Sequence, residues 1–217
     1  PLAGGTLTGP ILDLEDKGSQ LFNVKAYGAT GNGSTDDSTS VIAAIAACFA
    51  AGGGVIYFPT GTYLIASQIL VPNDGLTIPN NVPMRFIGAG CSANGNAHAP
   101  TGGTILNLTN NAATAKIDTR GVGYLEIAHM TLADFSSDSA AFVFTTSTVL
   151  HIHDCLFYGT AVGTGAVNDA IILGGTGTTQ NGSSSSPFQG YGTIIRDNEF
   201  QRTRRASRGT GSAPAPG

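Results

Sequence analysis

Charge is what this sequence has least of: Asp, Glu, Lys and Arg together make up 11% of its 217 residues. Tryptophan is absent, and aromatic residues reach 7%. A disordered chain combines high charge with few apolar residues. Here 41% of the residues are hydrophobic, which excludes disorder for most of the length. The net charge of -4 gives no reason to expect a nucleic-acid partner, because such binders present basic patches. The three cysteines, Cys48, Cys91 and Cys155, are too few and too scattered for a disulfide framework or a zinc site. They are expected as buried free thiols. The longest apolar run, Val41 to Ala51, is shorter than the roughly 20 residues a membrane-spanning helix needs, so no membrane partner is expected. No secretory leader is recognisable, and the start at Pro1 without Met reads as a piece or a processed form, so the missing leader does not argue against secretion.

What is present points to β structure with many turns. There are 31 glycines, Thr, Ser and Asn abound, and Val and Ile recur in short runs. The chain divides into a turn-rich opening over 1–20, a patterned body over 21–201 and a tail over 202–217. Within the body, Phe22 to Tyr27 alternates as a strand does, and the glycines at 28, 31 and 33 mark a loop. Asp36 and Asp37 stand where a helix over Ser38–Ala50 begins. They are read as carboxylates that accept its first backbone N–H groups, not as a catalytic pair. No Gly-Lys-Ser/Thr follows the glycines, which excludes a phosphate loop. Gly52, Gly53 and Gly54 end the helix, and Val55 to Phe58 is a short strand.

From about Ile69 the sequence repeats a degenerate unit. Leu125 to Leu132, Leu150 to Phe157 and Thr193 to Phe200 each read as strand, two-residue polar corner, strand. Ile127, Ile152 and Ile195 align, as do Leu132, Phe157 and Phe200, and the corners end in His129, Asp154 and Asp197. Lone strands, Ala141–Phe144 and Ala170–Leu173, fall between the units. The wider second spacing is taken up by a Gly/Ser-rich loop, Gly174 to Ser186. Such units are coils of a solenoid that stack about 4.8 Å apart, with equivalent residues in ladders along the axis. The tail has no apolar residue larger than Ala and holds four of the ten basic residues, Arg202, Arg204, Arg205 and Arg208; it is expected to be unfolded.

The segment FNVKAYGATGNGSTDDSTSVIAAIAACFAAGGGVIYFPTGTYLI resembles the opening of the pectate-lyase-like superfamily, which includes rhamnogalacturonases, epimerase-like proteins and tailspikes. The resemblance is carried by Tyr27-Gly28-Ala29, Gly31, Gly33, Thr35-Asp36-Asp37, Gly53-Gly54-Val55, Phe58-Pro59, Gly61 and Tyr63; Asn32 departs where an Asp is common. MRFIGAG, Met84 to Gly90, is similar to the family's next strand and Gly-x-Gly turn. The resemblance implies an all-β fold, a right-handed parallel β-helix with a short N-terminal capping helix, here an incomplete solenoid. The opening PLAGGTLTGPI resembles a segment of phage tail fibres. Together these imply a tailspike-type protein of a virion tail, or another extracellular protein, homotrimeric at full length, that engages and depolymerises a bacterial surface polysaccharide. Two other readings stay open: a free hydrolase or lyase acting on pectin-like acidic glycans, and a non-enzymatic spike or adhesin segment.

Cleaving a glycan takes two carboxyls, or a base with a cation beside a uronate. Asp134 and Asp138, in a loop after a repeat unit, Asp154 at a corner, and Asp169 are the candidate catalytic acids. Asn168-Asp169 is similar to the Asn-Thr-Asp motif of polygalacturonases but lacks its middle Thr. Tyr124, Phe135, His151 and Tyr158 are candidates to contact sugar rings. If Ile152 points inward, His151 points outward and His153 belongs to the corner. A metal at this His-x-His pair would need a third ligand, with Asp154 or His129 nearest. No metal or cofactor is expected.

Overall fold

The computed structural model describes residues 20–71, 80–91, 100, 102–108, 115–118, 122–133, 141–145, 149–159, 169–173, 192–201 and 205–209. Asp134, Phe135, Asp138, the 1–19 opening and the 174–186 loop lie outside them.

These residues coil into a parallel β-helix with three sheets. Each full turn contributes one strand to each. Sheet A contains β1 (Leu21–Asn23), β3 (Gly54–Phe58), β6 (Asn80–Gly88), β9 (Val122–Ala128), β12 (Val149–His153) and β15 (Ile194–Arg196). Sheet B contains β2 (Asn32–Asp36), β4 (Gly61–Leu64), β7 (Thr104–Asn107), β10 (Thr131–Ala133), β13 (Leu156–Tyr158) and β16 (Glu199–Gln201). Sheet C contains β5 (Ile69–Leu70), β8 (Ala115–Asp118), β11 (Ala141–Thr145), β14 (Asp169–Leu173) and β17 (Arg205–Gly209).

The registers explain the repeat. Phe22, Ile56, Phe86, Ile127, Ile152 and Ile195 stand over one another in sheet A. Tyr63, Leu106, Leu132, Phe157 and Phe200 do so in sheet B. All but Ile195 and Phe200, in the last described coil, are buried, and the two ladders form the inside of the solenoid. The Phe157 and Phe200 rings stack with centroids 5.0 Å apart.

Helix α1, Ser38–Ala50, covers one end, burying Val41, Ala44, Ile45 and Cys48. Asp36 accepts the Ser38 N–H at 3.0 Å, as expected of a carboxylate at a helix start. Asp37 does something else. Its side chain caps no helical N–H. It is buried and accepts the Thr30 and Gly31 N–H groups at 2.7 and 3.0 Å, tying down the Gly-rich loop.

Three further expectations are corrected. Phe22 to Tyr27 is not one strand: β1 ends at Asn23, whose Oδ1 accepts the Lys25 N–H, and Val24–Tyr27 form a 3-10 turn. Cys91 is exposed, whereas Cys48 and Cys155 are buried thiols. Arg205–Gly209, placed by the sequence in an unfolded tail, forms β17 and pairs with β14, Asp169 opposite Arg205 and Ile171 opposite Ser207. Backbone pairing with the preceding coil does not need the apolar side chains whose scarcity suggested disorder.

The corners between sheets A and B are tight. His129, Asp154 and Asp197 have φ of 58°, 52° and 54°, and they are the non-glycine residues with positive φ among those described. Asp and His are among the residues that tolerate the left-handed region best. Gly88, one coil before His129, is needed for a different reason. A Cβ there would lie 2.3 Å from the His129 carbonyl oxygen and 2.8 Å from the Met130 Cβ. Gly88→Ala is therefore expected to destabilise by about 3 kcal/mol, the upper end of ordinary overpacking. Gly52→Ala meets no atom within 4 Å and bears only the strain of φ 84°, about 1 kcal/mol. Denaturant melts of the two variants check the contrast.

Candidate functional site

The outer face of sheet A carries a polar cluster on a charge-poor molecule. Because inward and outward side chains alternate along a strand, the neighbours of the Ile127–Ile152 ladder point outward. One outward column runs Arg85, Glu126, His151; the adjacent one runs Ile87, Ala128, His153, Arg196.

Glu126 is the hub. Arg85 donates to it through Nε at 2.7 Å and through a second guanidinium nitrogen at 3.1 Å. The Tyr124 hydroxyl donates to its Oε2 at 3.3 Å, and His153 Nε2 lies 3.1 Å from its Oε1. Burial alone would push the Glu126 carboxyl up. The hydrogen bonds and charges of Arg85 and His153 outweigh that and hold it down at about 2.

His153 Nδ1 lies 2.7 Å from Asp154 Oδ2, so its ring is held between two carboxylates. The Asp154 carboxyl sits below its ordinary range, chiefly through that hydrogen bond. The His151 ring lies tilted against His153, centroids 4.4 Å apart. Arg196 Nε donates to His151 Nε2 at 3.2 Å, and its guanidinium also meets Asp197. Desolvation, with the neighbouring His153 and Arg196, lowers the His151 pKa and favours the neutral imidazole. His151 can therefore act as a neutral base once its Nε2 lone pair is released from Arg196, which stands beside it as a cation for a neighbouring carboxylate.

Of the residues singled out from sequence, the fold brings Tyr124, His151 and Asp154 together here. Asp169 lies on β14 in sheet C, away from them. Tyr158 is 3% exposed and clusters with Ile105, Ala133 and Leu156 on sheet B, so its ring has no open face for a sugar. His153 belongs to the outer face of sheet A, not to the corner, which is Asp154–Cys155. Arg85, Glu126 and Arg196 were not singled out. A signal did exist: in the aligned units Glu126 and His151 occupy the same slot beside the inward Ile, and the registry stacks them.

The sequence profile of the family described as Rhamnogalacturonase A/epimerase, pectate lyase-like, matches residues 21–211. The chain belongs to this family. The pectate-lyase-like chain is 47% identical over 70 residues to mannuronan C5-epimerase AlgE2 of Azotobacter vinelandii, a stretch covering 32% of this chain and 7% of that protein. It is 30% identical over 118 residues to probable rhamnogalacturonase E of Aspergillus niger, covering 54% of this chain and 25% of that protein. It thus spans a quarter or less of the length of these relatives. Among solved structures, ORF18 of Geobacillus virus E2 aligns over 86% of this chain and 40% of that one, at 17% identity and a TM-score of 0.34. The three-sheet parallel β-helix described above is the fold of a chain whose family is carbohydrate-active by its description. No helix among the described residues is long and apolar enough to cross a membrane.

Proposed function

We propose that this chain binds an acidic polysaccharide along the outer face of sheet A, as part of a tailspike-type protein that recognises a bacterial surface glycan and depolymerises it. The observation that carries the reading is the outward column Arg85–Glu126–His151 with His153 and Arg196 beside it. Successive coils repeat these groups about every 4.8 Å along the axis, so an extended glycan can meet several at once. Arg196, half-exposed, is suited to a uronate carboxylate, and its turning to that group would free the Nε2 lone pair of neutral His151 for the proton next to it. Relatives named as mannuronan C5-epimerases and as an alginate lyase support a polyuronate as the substrate class. The tailspike setting and a homotrimeric assembly rest on the PLAGGTLTGPI opening.

Affinity electrophoresis in gels containing alginate, polygalacturonate or neutral dextran tests the binding. Retardation by an acidic glycan is expected, at least tenfold weaker in Arg196→Ala and His151→Ala, with none in dextran. Equal retardation of these variants, or none in any gel, overturns the reading. Ultraviolet absorbance of an unsaturated product, against release of reducing ends, distinguishes lyase from hydrolase chemistry.

A further inference from the structure

We infer that His129, His153 and Asp154 form a site for a zinc-class divalent cation, at the corner between sheets A and B. One ligand atom from each residue lies within 4.8 Å of the others. Two imidazole nitrogens and a carboxylate oxygen are the donor set that zinc and its first-row neighbours prefer. The set is assembled from two successive coils, so sequence spacing alone gives no metal motif.

Two features make this more than a meeting of polar groups. The first is backbone geometry. His129 and Asp154 both hold positive φ at equivalent corners, which stacks them one coil apart. The His129 and His153 rings stand edge to face, centroids 5.5 Å apart. The second is the support behind His153. Its Nε2 faces Glu126 at 3.1 Å, and Glu126 is itself clamped by Arg85 and Tyr124. A carboxylate behind an imidazole keeps the proton on the rear nitrogen and turns the front one toward a metal. The front nitrogen, Nδ1, lies 2.7 Å from the partly exposed Asp154 carboxylate, so two of the three donor atoms already face one another. Ligands bound at about 2 Å in a tetrahedral arrangement stand about 3.3 Å apart. To reach that spacing the Nδ1–Oδ2 pair would open from 2.7 Å and the exposed His129 ring would turn toward it. A water or a ligand oxygen would complete a tetrahedral set.

Equilibrium dialysis of the purified chain against Zn²⁺, with the visible spectrum of Co²⁺ as a second reading, tests the site without any assay of activity. One ion per chain is expected, with a Co²⁺ spectrum of low coordination number. His129→Gly and Asp154→Asn keep residues that accept positive φ, and each is expected to weaken binding at least tenfold. Glu126→Gln is expected to weaken it about 10- to 100-fold by loosening His153. Circular dichroism confirms that each variant is folded. The site is refuted if the folded wild-type chain takes up no Zn²⁺ or Co²⁺ at millimolar concentration. It is also refuted if His129→Gly and Asp154→Asn bind as tightly as wild type, or if His151→Ala loses the ion while His129→Gly keeps it.

Discussion

Ile152→Ala is expected to cost about 2–5 kcal/mol of stability, whereas Asp138→Ala, at the loop position assigned from sequence, is expected to change it by less than about 0.5 kcal/mol. Ile152 is fully buried and stands between Ile127 and Ile195 in the sheet A ladder. Removing its side chain takes contacts from the coil on either side. A parallel solenoid cannot easily close the gap, because the coil spacing is set by the backbone hydrogen bonds of three sheets and not by one side chain. Denaturant unfolding at matched conditions measures both variants. Similar losses would mean that the inside and outside of the coil have been exchanged.

Acidification is expected to remove on the order of 2 kcal/mol through Glu126 alone. In the folded chain its carboxyl is held at about 2, below the ordinary 4.5. A depressed carboxyl stabilises the fold fully above the unfolded value. That stabilisation fades as pH falls from about 4.5 toward 2, where the carboxylate takes up a proton and the attraction to Arg85 and His153 is lost. The full shift would correspond to about 3 kcal/mol, but Arg85 is half-exposed, and water screens part of its contribution. Asp154 and Asp36 shift in the same direction, so the comparison with Glu126→Gln isolates the one group. The stability gap between wild type and variant is expected to be widest near pH 6 and to close by about pH 2. A gap that stays constant across that range would show that Glu126 acts through shape, not charge.

Glu126 also marks where sequence reading stopped. The helix over Ser38–Ala50, the strands around Val55, Met84, Leu125 and Leu150, and the alignment of Ile127 with Ile152 and Ile195 were all legible. Each depends on a local rule: glycine ends a helix, and one face of a strand must be apolar. The corner residues were legible too, because His129, Asp154 and Asp197 fall at one slot of the unit, and the backbone turns there with positive φ.

The candidate site was only half legible, and the reason is the distance along the chain between its parts. Arg85 and Glu126 are 41 residues apart, and Glu126 and His153 are 27 apart, yet they share hydrogen bonds. Nothing local in MRFIG or LEIAH announces that partnership. Tyr158 shows the opposite failure: an aromatic at a strand end is equally at home against a sugar or inside a cluster, and only packing decided for the cluster. The sequence by itself determined the period, the inward ladders, the capping helix and the family. Only the tertiary structure decided which outward side chains meet, because register between coils is set by the stacked ladders and by inserts of different length. It also decided that Arg205–Gly209 continue sheet C, since a parallel strand is held by backbone hydrogen bonds to its neighbour that no side-chain pattern records.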